Sequence, residues 1–283
     1  MRALFLGGDL RQKYACELLI KNNVDAEYYP DFHIDNKFEN KIKNASIIAF
    51  PIPSLKDCKH INTSNSLINI YEVIDLINNK STVFGGQFSK ESKEYLENHK
   101  LSYIDYFDIE SFQIQNALLS AEGAIYYAKQ RIERSIYGAE IAVLGFGRIG
   151  KILAYLLHSQ GAKITVCARK ESDFTWSKLI GLNGFKIKIS GNMSNLNLIN
   201  NKYDLIFNTI PFWIMDEHFA KSKNSDTIII DLASRPFGID EELVNRYHLK
   251  YYRELGIPGR YAPQSAGEII GQMIINNINI LED

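Results

Sequence analysis

At 283 residues, 46% of them hydrophobic, the chain has room for two domains of ordinary size, each with its own core. Its 32 Lys and Arg nearly balance 33 Asp and Glu, leaving a formal net charge of -1. With no basic run, that balance argues against nucleic acid as a main partner, and no apolar stretch approaches the ~18 residues of a membrane span.

The first half alternates short apolar runs with helical patterns. Residues 3–6 read as a strand, Gly7-Gly8-Asp9 as a turn and 10–22 as a helix, so no signal peptide is expected at the start. Further strands are expected at 26–29, 46–50, 82–84 and 102–104. Such alternation implies a parallel sheet covered on both faces, with ligands gathering where strands end. Three exits are unusual: Gly7 to Gln12, Pro51-Ile52-Pro53-Ser54 and Gly85-Gly86-Gln87, and all three are expected to face one crevice. Within the first, Asp9 suits an N-cap, and Gly8, Asp9, Arg11 and Gln12 are candidates for substrate contact. A proline-free helical pattern then runs over 111–137 and carries Glu122, a lone carboxylate between Ala121 and Gly123 on an apolar helix. Glu122 suits a general base or a structural partner for an arginine.

Next comes Ile141-Ala142-Val143-Leu144 followed by Gly145-Phe146-Gly147-Arg148-Ile149-Gly150, a buried strand running into G-x-G-x-x-G with a helical pattern behind it. Gly145 permits the tight turn, Gly147 lets backbone approach a pyrophosphate and Gly150 lets helix and strand pack closely. A second strand, 163–168, completes the βαβ unit. Dinucleotide sites selective for NAD end this strand with an acid that takes the ribose hydroxyl. Here Ala168 stands in that place, followed by Arg169 and Lys170, so the expected cofactor is NADP, its 2′-phosphate gripped by Arg169. Strands are expected at 185–188, 203–207, 227–231 and 249–252, and a last helix over 267–281 that crosses back to the first domain. Two doubly wound parallel-sheet α/β domains result. They are a flavodoxin-like substrate domain over 1–115 with the terminal helix 266–283 and a Rossmann NADP-binding domain over 138–265, joined by an interdomain helix 116–137 and expected to enclose one cleft.

Chemistry-bearing residues collect at the later exits. Asn208-Thr209-Ile210-Pro211 follows a strand where the nicotinamide ribose is expected. The next exit, Asp231-Leu232-Ala233-Ser234-Arg235, brings Ala233 beside the cofactor, and Ser234 and Arg235 toward a substrate carboxylate. At the start of the last helix, which offers an anion site, Gln264 is a candidate catalytic residue and Ser265, Ala266 and Gly267 are candidates for substrate contact. The six histidines show no ligand spacing, the three cysteines Cys16, Cys58 and Cys167 fit neither a disulfide nor a metal pattern, and no metal is expected. A reducing cytoplasm is the expected setting.

Taken in order, Gly7-Gly8-Asp9-Leu10-Arg11-Gln12, Ala121-Glu122-Gly123, the fingerprint ending in Ala168-Arg169, Asn208 to Pro211, Asp231 to Ser234 and Pro258 to Gly267 resemble the A-subunit family of dipicolinate synthase over essentially the full length. That resemblance implies NADP-linked oxidation of a dihydrodipicolinate-type dicarboxylate in the mother cell of a sporulating bacterium. It also implies partnership with a flavoprotein-like B subunit; a homodimer is compatible with it. In the family pattern a lysine stands at Gln264, so a role tied to that amine does not carry over. A wider likeness is to D-2-hydroxy acid dehydrogenases, with Arg235 in the carboxylate-binding place; Gln264 stands where their histidine is expected. The alternatives are such a dehydrogenase, an S-adenosylhomocysteine hydrolase-like enzyme on fold alone, or a non-catalytic NADP-binding subunit.

Overall fold

A computed structural model describes residues 1–190, 193–198, 203–223 and 226–282. The chain divides into two compact units, residues 1–116 with 258–283, and residues 117–257.

The first unit opens with β1 (Arg2–Leu6), α1 (Leu10–Lys21), β2 (Asp25–Tyr29), α2 (Asn36–Lys43) and β3 (Ile47–Ala49). It continues with α3 (Ile70–Ile74), β4 (Thr82–Gly85), α4 (Lys90–Asn98) and β5 (Ser102–Asp105). The strands pair parallel in the order β2-β1-β3-β4-β5, the flavodoxin arrangement. A parallel sheet covered on both faces needs strands apolar on both sides, and Ala3, Leu4, Phe5 and Leu6 of β1 are wholly buried. They split between two cores, Leu4 and Leu6 on one face, Ala3 and Phe5 on the other. α1 buries Gln12, Ala15, Cys16 and Leu19, a helical i, i+3, i+4, i+7 stripe that includes one amide.

α5 (Glu110–Lys129) contains the boundary between the units. It ends at Lys129, not at 137, because the Arg131 and Ile132 N–H groups both turn back to the Ala128 carbonyl, and the Arg131 guanidinium takes the Tyr127 carbonyl at 2.7 Å.

The second unit holds β6 (Glu140–Leu144), α6 (Arg148–Ser159), β7 (Lys163–Ala168), α7 (Glu171–Leu179) and β8 (Asn183–Lys186). A small antiparallel ribbon follows that periodicity does not signal, β9 (Ile189–Ser190) with β10 (Met193–Ser194). Then come β11 (Leu205–Asn208), α8 (Glu217–Ser222), β12 (Ile228–Asp231), α9 (Glu241–Arg246) and β13 (Lys250–Arg253). The six-stranded order β13-β12-β11-β6-β7-β8 is all parallel, the doubly wound Rossmann sheet, reversing direction between β6 and β11. The chain then forms α10 (Ile257–Tyr261) and α11 (Pro263–Glu282). α11 begins at Pro263 rather than at 267, as proline suits a first helical position. Among the described residues no helix is long and apolar enough to cross a membrane.

The edge strand β2 carries Glu27 among Lys41, Tyr29 and Arg2, all hydrogen-bonded to its carboxylate. Charge on an open edge discourages pairing with other chains. The hydrogen bond from Lys41, helped by those from Tyr29 and Arg2, draws the Glu27 carboxyl from 4.5 down to about 2. A depressed folded-state value gives stability that is full above the unfolded value and disappears as pH falls through the folded one. Glu27→Gln should therefore lower the urea midpoint above pH 4.5, with the difference from wild type shrinking to nothing near pH 2.

Candidate functional site

The reversal of the second sheet puts the exits of β6 and β11 side by side. Gly145 turns the chain out of β6 at φ +95°, a conformation that side chains rarely adopt. A Cβ on it would strike the Thr209 hydroxyl, and one on Gly150 would strike the Gly145 carbonyl oxygen. The two glycines thus let α6 and the β11 exit close on the turn, and Thr209 is fastened there by its N–H and its hydroxyl, each 2.9 Å from the Leu144 carbonyl. At Gly147 the situation is reversed: a Cβ would meet open space, and no side chain caps α6. An uncapped helix start behind a glycine turn is the arrangement that takes a pyrophosphate. Phe146 is buried in the core, Ile149 is half-buried and Arg148 is exposed, so the turn's contribution to such a ligand is mainly backbone.

β7 ends in buried Ala168, with exposed Arg169 and Lys170 beyond it. Lys170 is the N-cap position of α7, whose first turn holds Glu171 and Asp173, and Glu171 pairs with Lys186 at 3.5 Å.

At β11 and β12 the expected donors divide into buried and exposed. Asn208 is fully buried: its amide nitrogen reaches the Ile210 carbonyl at 3.1 Å and the Asp231 carboxylate at 2.9 Å, and its oxygen accepts from the Ile210 N–H. Its place inside the strand ladder occupies the groups that were expected at a sugar. Thr209 and Ile210 are half-buried and Pro211 is exposed. Ala233 is buried, whereas Ser234 and Arg235 are exposed, and no hydrogen bond or ion pair among the described residues engages the Arg235 side chain. Glu122 is half-buried on α5.

Asp231 stands out in the sequence only as the first residue of a motif. It is fully buried at the end of a strand that is otherwise Ile228-Ile229-Ile230. A lone acid closing so apolar a run was the available signal.

In the first unit the three unusual exits are sewn together. The Gly8 N–H donates to Asn62, the Asn62 N–H to Ser54, and the Ser54 N–H to Gly86, at 2.7, 3.0 and 2.8 Å. Asp9 caps α1 as expected of its type, accepting from the Arg11 N–H. Arg11, expected to face a ligand, instead holds Asp9 through Nε and Nη2 at 2.9 Å each and the Ile52 carbonyl at 2.5 Å. Gln12 is enclosed at 1% exposure because it lies on the inward stripe of α1, and its Nε2 donates to the Ala49 carbonyl at 3.0 Å. Gln264 and Ser265 are exposed, with Gln264 donating to Glu268 at 2.9 Å. Since α11 starts at Pro263, the Ala266 N–H is already bonded to Ala262, at 3.0 Å, and Ala266 and Gly267 are buried. A Cβ on Gly267 would lie 2.5 Å from the Arg11 carbonyl oxygen and 2.6 Å from Tyr14 Cβ. Gly267 serves helix contact, which the four-residue spacing to Gly271, itself against Leu18 and Ala15, could have signalled. Among the described residues no group of three His, Cys, Asp or Glu side chains is placed to hold a metal ion.

Comparison with known proteins follows the same division of the chain. Residues 2–107 match the family model described as the N-terminal domain of the dipicolinate synthase A-subunit, and residues 140–235 the model described as NADP oxidoreductase coenzyme F420-dependent. The dipicolinate synthase A-subunit of Bacillus subtilis (strain 168) is 32% identical over 192 residues, 66% of this chain. The match spans 62% of that relative's length. The crystal structure of the dipicolinate synthase A-subunit from Bacillus halodurans matches with a TM-score of 0.85 and 25% identity, over 97% of this chain and 96% of that one. The corresponding dipicolinate synthase structure from Bacillus subtilis gives 0.84 at 24% identity, over 100% and 97%. D-lactate dehydrogenase from Escherichia coli shares the fold, with a TM-score of 0.68 at 12% identity over 100% and 97%.

Gly267→Val would force α11 away from α1 or distort both, at a cost of about 1–3 kcal/mol for an overpacked contact. The expected outcome is a lower urea midpoint; an unchanged one would contradict the close approach.

Proposed function

Because the chain belongs to the A-subunit family of dipicolinate synthase, we propose that it is an oxidoreductase subunit that binds NADP in its second unit and oxidises a dihydropyridine dicarboxylate to dipicolinate. The observation that carries the cofactor choice is the exit of β7, where Ala168 is buried, no acid follows before Glu171, and Arg169 and Lys170 are exposed. A carboxylate there would repel a 2′-phosphate, whereas a guanidinium forms a charge-assisted pair with it.

Bound at the glycine turn, NADP+ would supply the acceptor for the hydride that the dihydropyridine ring loses, together with a proton, on becoming aromatic. The chain's own work is binding and orientation. The backbone at 145–150 holds the pyrophosphate, and Thr209 to Pro211 line the nicotinamide side. Ser234 and Arg235 hold a substrate carboxylate, a fork-shaped donor set suited to that group. Arg235 carries this role in preference to Arg11, whose charge is matched by Asp9. Glu122, half-buried and with no hydrogen bond or ion pair among the described residues, takes the proton, directly or through water. A flavoprotein-like B subunit is the proposed partner, in the cytoplasm of a sporulating cell.

Two substitutions test the reading separately. Arg169→Ala should weaken NADPH binding by about tenfold or more, the worth of one charge-assisted pair, and leave NADH nearly unaffected. Fluorescence titration with both nucleotides checks this, and equal losses would remove Arg169 from the phosphate. Arg235→Ala should cut kcat/KM for the dihydropyridine dicarboxylate by at least about tenfold at unchanged NADPH affinity. Unaltered steady-state kinetics would take Arg235 out of the site.

A further inference from the structure

Asp231 lies at the end of β12 with no exposed surface, and four donors converge on its carboxylate. Oδ1 accepts from the Asn208 amide and the Ala233 N–H, each at 2.9 Å. Oδ2 accepts from the Gly238 N–H at 2.8 Å and the Tyr251 hydroxyl at 2.5 Å. The donors come from the exits of β11 and β12, from the far end of the 233–238 loop and from β13. One buried group therefore gathers three neighbouring strands at the sheet edge.

What it holds most completely is the turn that carries Ser234 and Arg235. Ala233 and Gly238, both bound to Asp231, stand at its two ends. Between them the Phe237 N–H closes on the Ser234 carbonyl at 3.0 Å, and the Trp213 indole donates to the Pro236 carbonyl at 2.9 Å. The Gly238 carbonyl accepts from the Ile214 and Met215 N–H groups, at 3.1 and 2.9 Å. Phe237 adopts φ +71° under the Arg253 guanidinium, which lies 4.4 Å from its ring centre. A Cβ on Gly238 would collide with the Asn208 amide, so the loop also sits at the closest approach that backbone allows. The backbone of the turn is tied at Ala233, Ser234, Pro236, Phe237 and Gly238, while the Arg235 side chain has no partner among the described residues.

We propose that Asp231 is a positioning residue: its carboxylate fixes the Ser234–Arg235 turn against the β11 exit, so that Arg235 meets an anionic substrate already aimed. The loop geometry stands on the hydrogen bonds alone; its consequence for turnover rests on the function proposed above. All four partners are donors, so an amide in this place would set an N–H against an N–H on one side. Asp231→Asn should thus free the Gly238 end without changing side-chain volume.

Hydrogen exchange by mass spectrometry on the full chain reads the loop directly, alongside NADPH titration and steady-state turnover of the dihydropyridine dicarboxylate. In Asp231→Asn, exchange over 232–240 should quicken at least about tenfold with residues 141–144 still protected, and kcat should fall at least about tenfold while NADPH affinity changes less than about threefold. Tyr251→Phe keeps the carboxylate and removes one donor. It should give a smaller acceleration confined to the Gly238 side, and it decides the matter should the Asn variant fail to fold. Exchange unchanged over 232–240 in a folded variant overturns the proposal. So does acceleration spread equally over the whole unit, with turnover and nucleotide affinity falling together. If the wild-type chain shows no turnover with the B subunit present, the proposed function is refuted, and the exchange pattern alone decides whether Asp231 holds the turn.

Discussion

The carbonyl oxygen of Gly145 and the α-carbon of Gly150 approach so closely that a single added carbon has no room between them. This approach fixes where α6 starts, and with it where the uncapped helix end stands relative to the β6 turn. The missing side chain of Gly145 also leaves room for Thr209 to bond back to Leu144, which draws the neighbouring exit onto the same turn. A phosphate site made this way is built of peptide groups, and peptide groups do not tell one dinucleotide from another. Selectivity has to be added by side chains at the next strand end, where this chain offers Arg169 and Lys170 in place of an acid.

The first unit uses glycine for a different contact. There Gly267 and Gly271 bring the α11 backbone against α1, whose residues Arg11, Tyr14, Ala15 and Leu18 fill the space that a side chain would take. The same segment carries Gly259, set against the paired Asp9 and Arg11 side chains. Charge that looks available for a ligand in the linear sequence is in this way paired at the start of α1, close beside Gly259.

Alternation of strands and helices made both parallel sheets legible, since strands buried on two faces must read as apolar runs such as Ala3 to Leu6 and Ile228 to Ile230. The glycine fingerprint was legible for a similar reason: its spacing follows from backbone geometry. Pairing partners were not. Arg11 and Gln12 looked like ligand groups because nothing local reveals that Asp9 folds back on one and that the other lies on the buried stripe of α1. Asn208 misled in the same way, its amide being taken by Asp231 from a strand 23 residues on. The end of α5 was misplaced because the carbonyl-seeking side chain of Arg131 sits beyond the helix it closes. Residues whose role lies in contacts distant along the chain leave little trace in periodicity or composition.

The first unit is assembled from two separate stretches, residues 1–116 and 258–283, whereas the second is continuous. A ribosome adding residues in order delivers every strand of the six-stranded sheet before α11 exists. During that interval α1 shows the nascent polypeptide's surroundings an uncovered face including Ala15 and Leu18. Domains that emerge early commonly settle first. Here the continuous unit has all its residues before the divided one does, and α1 stays uncovered until α11 has been made.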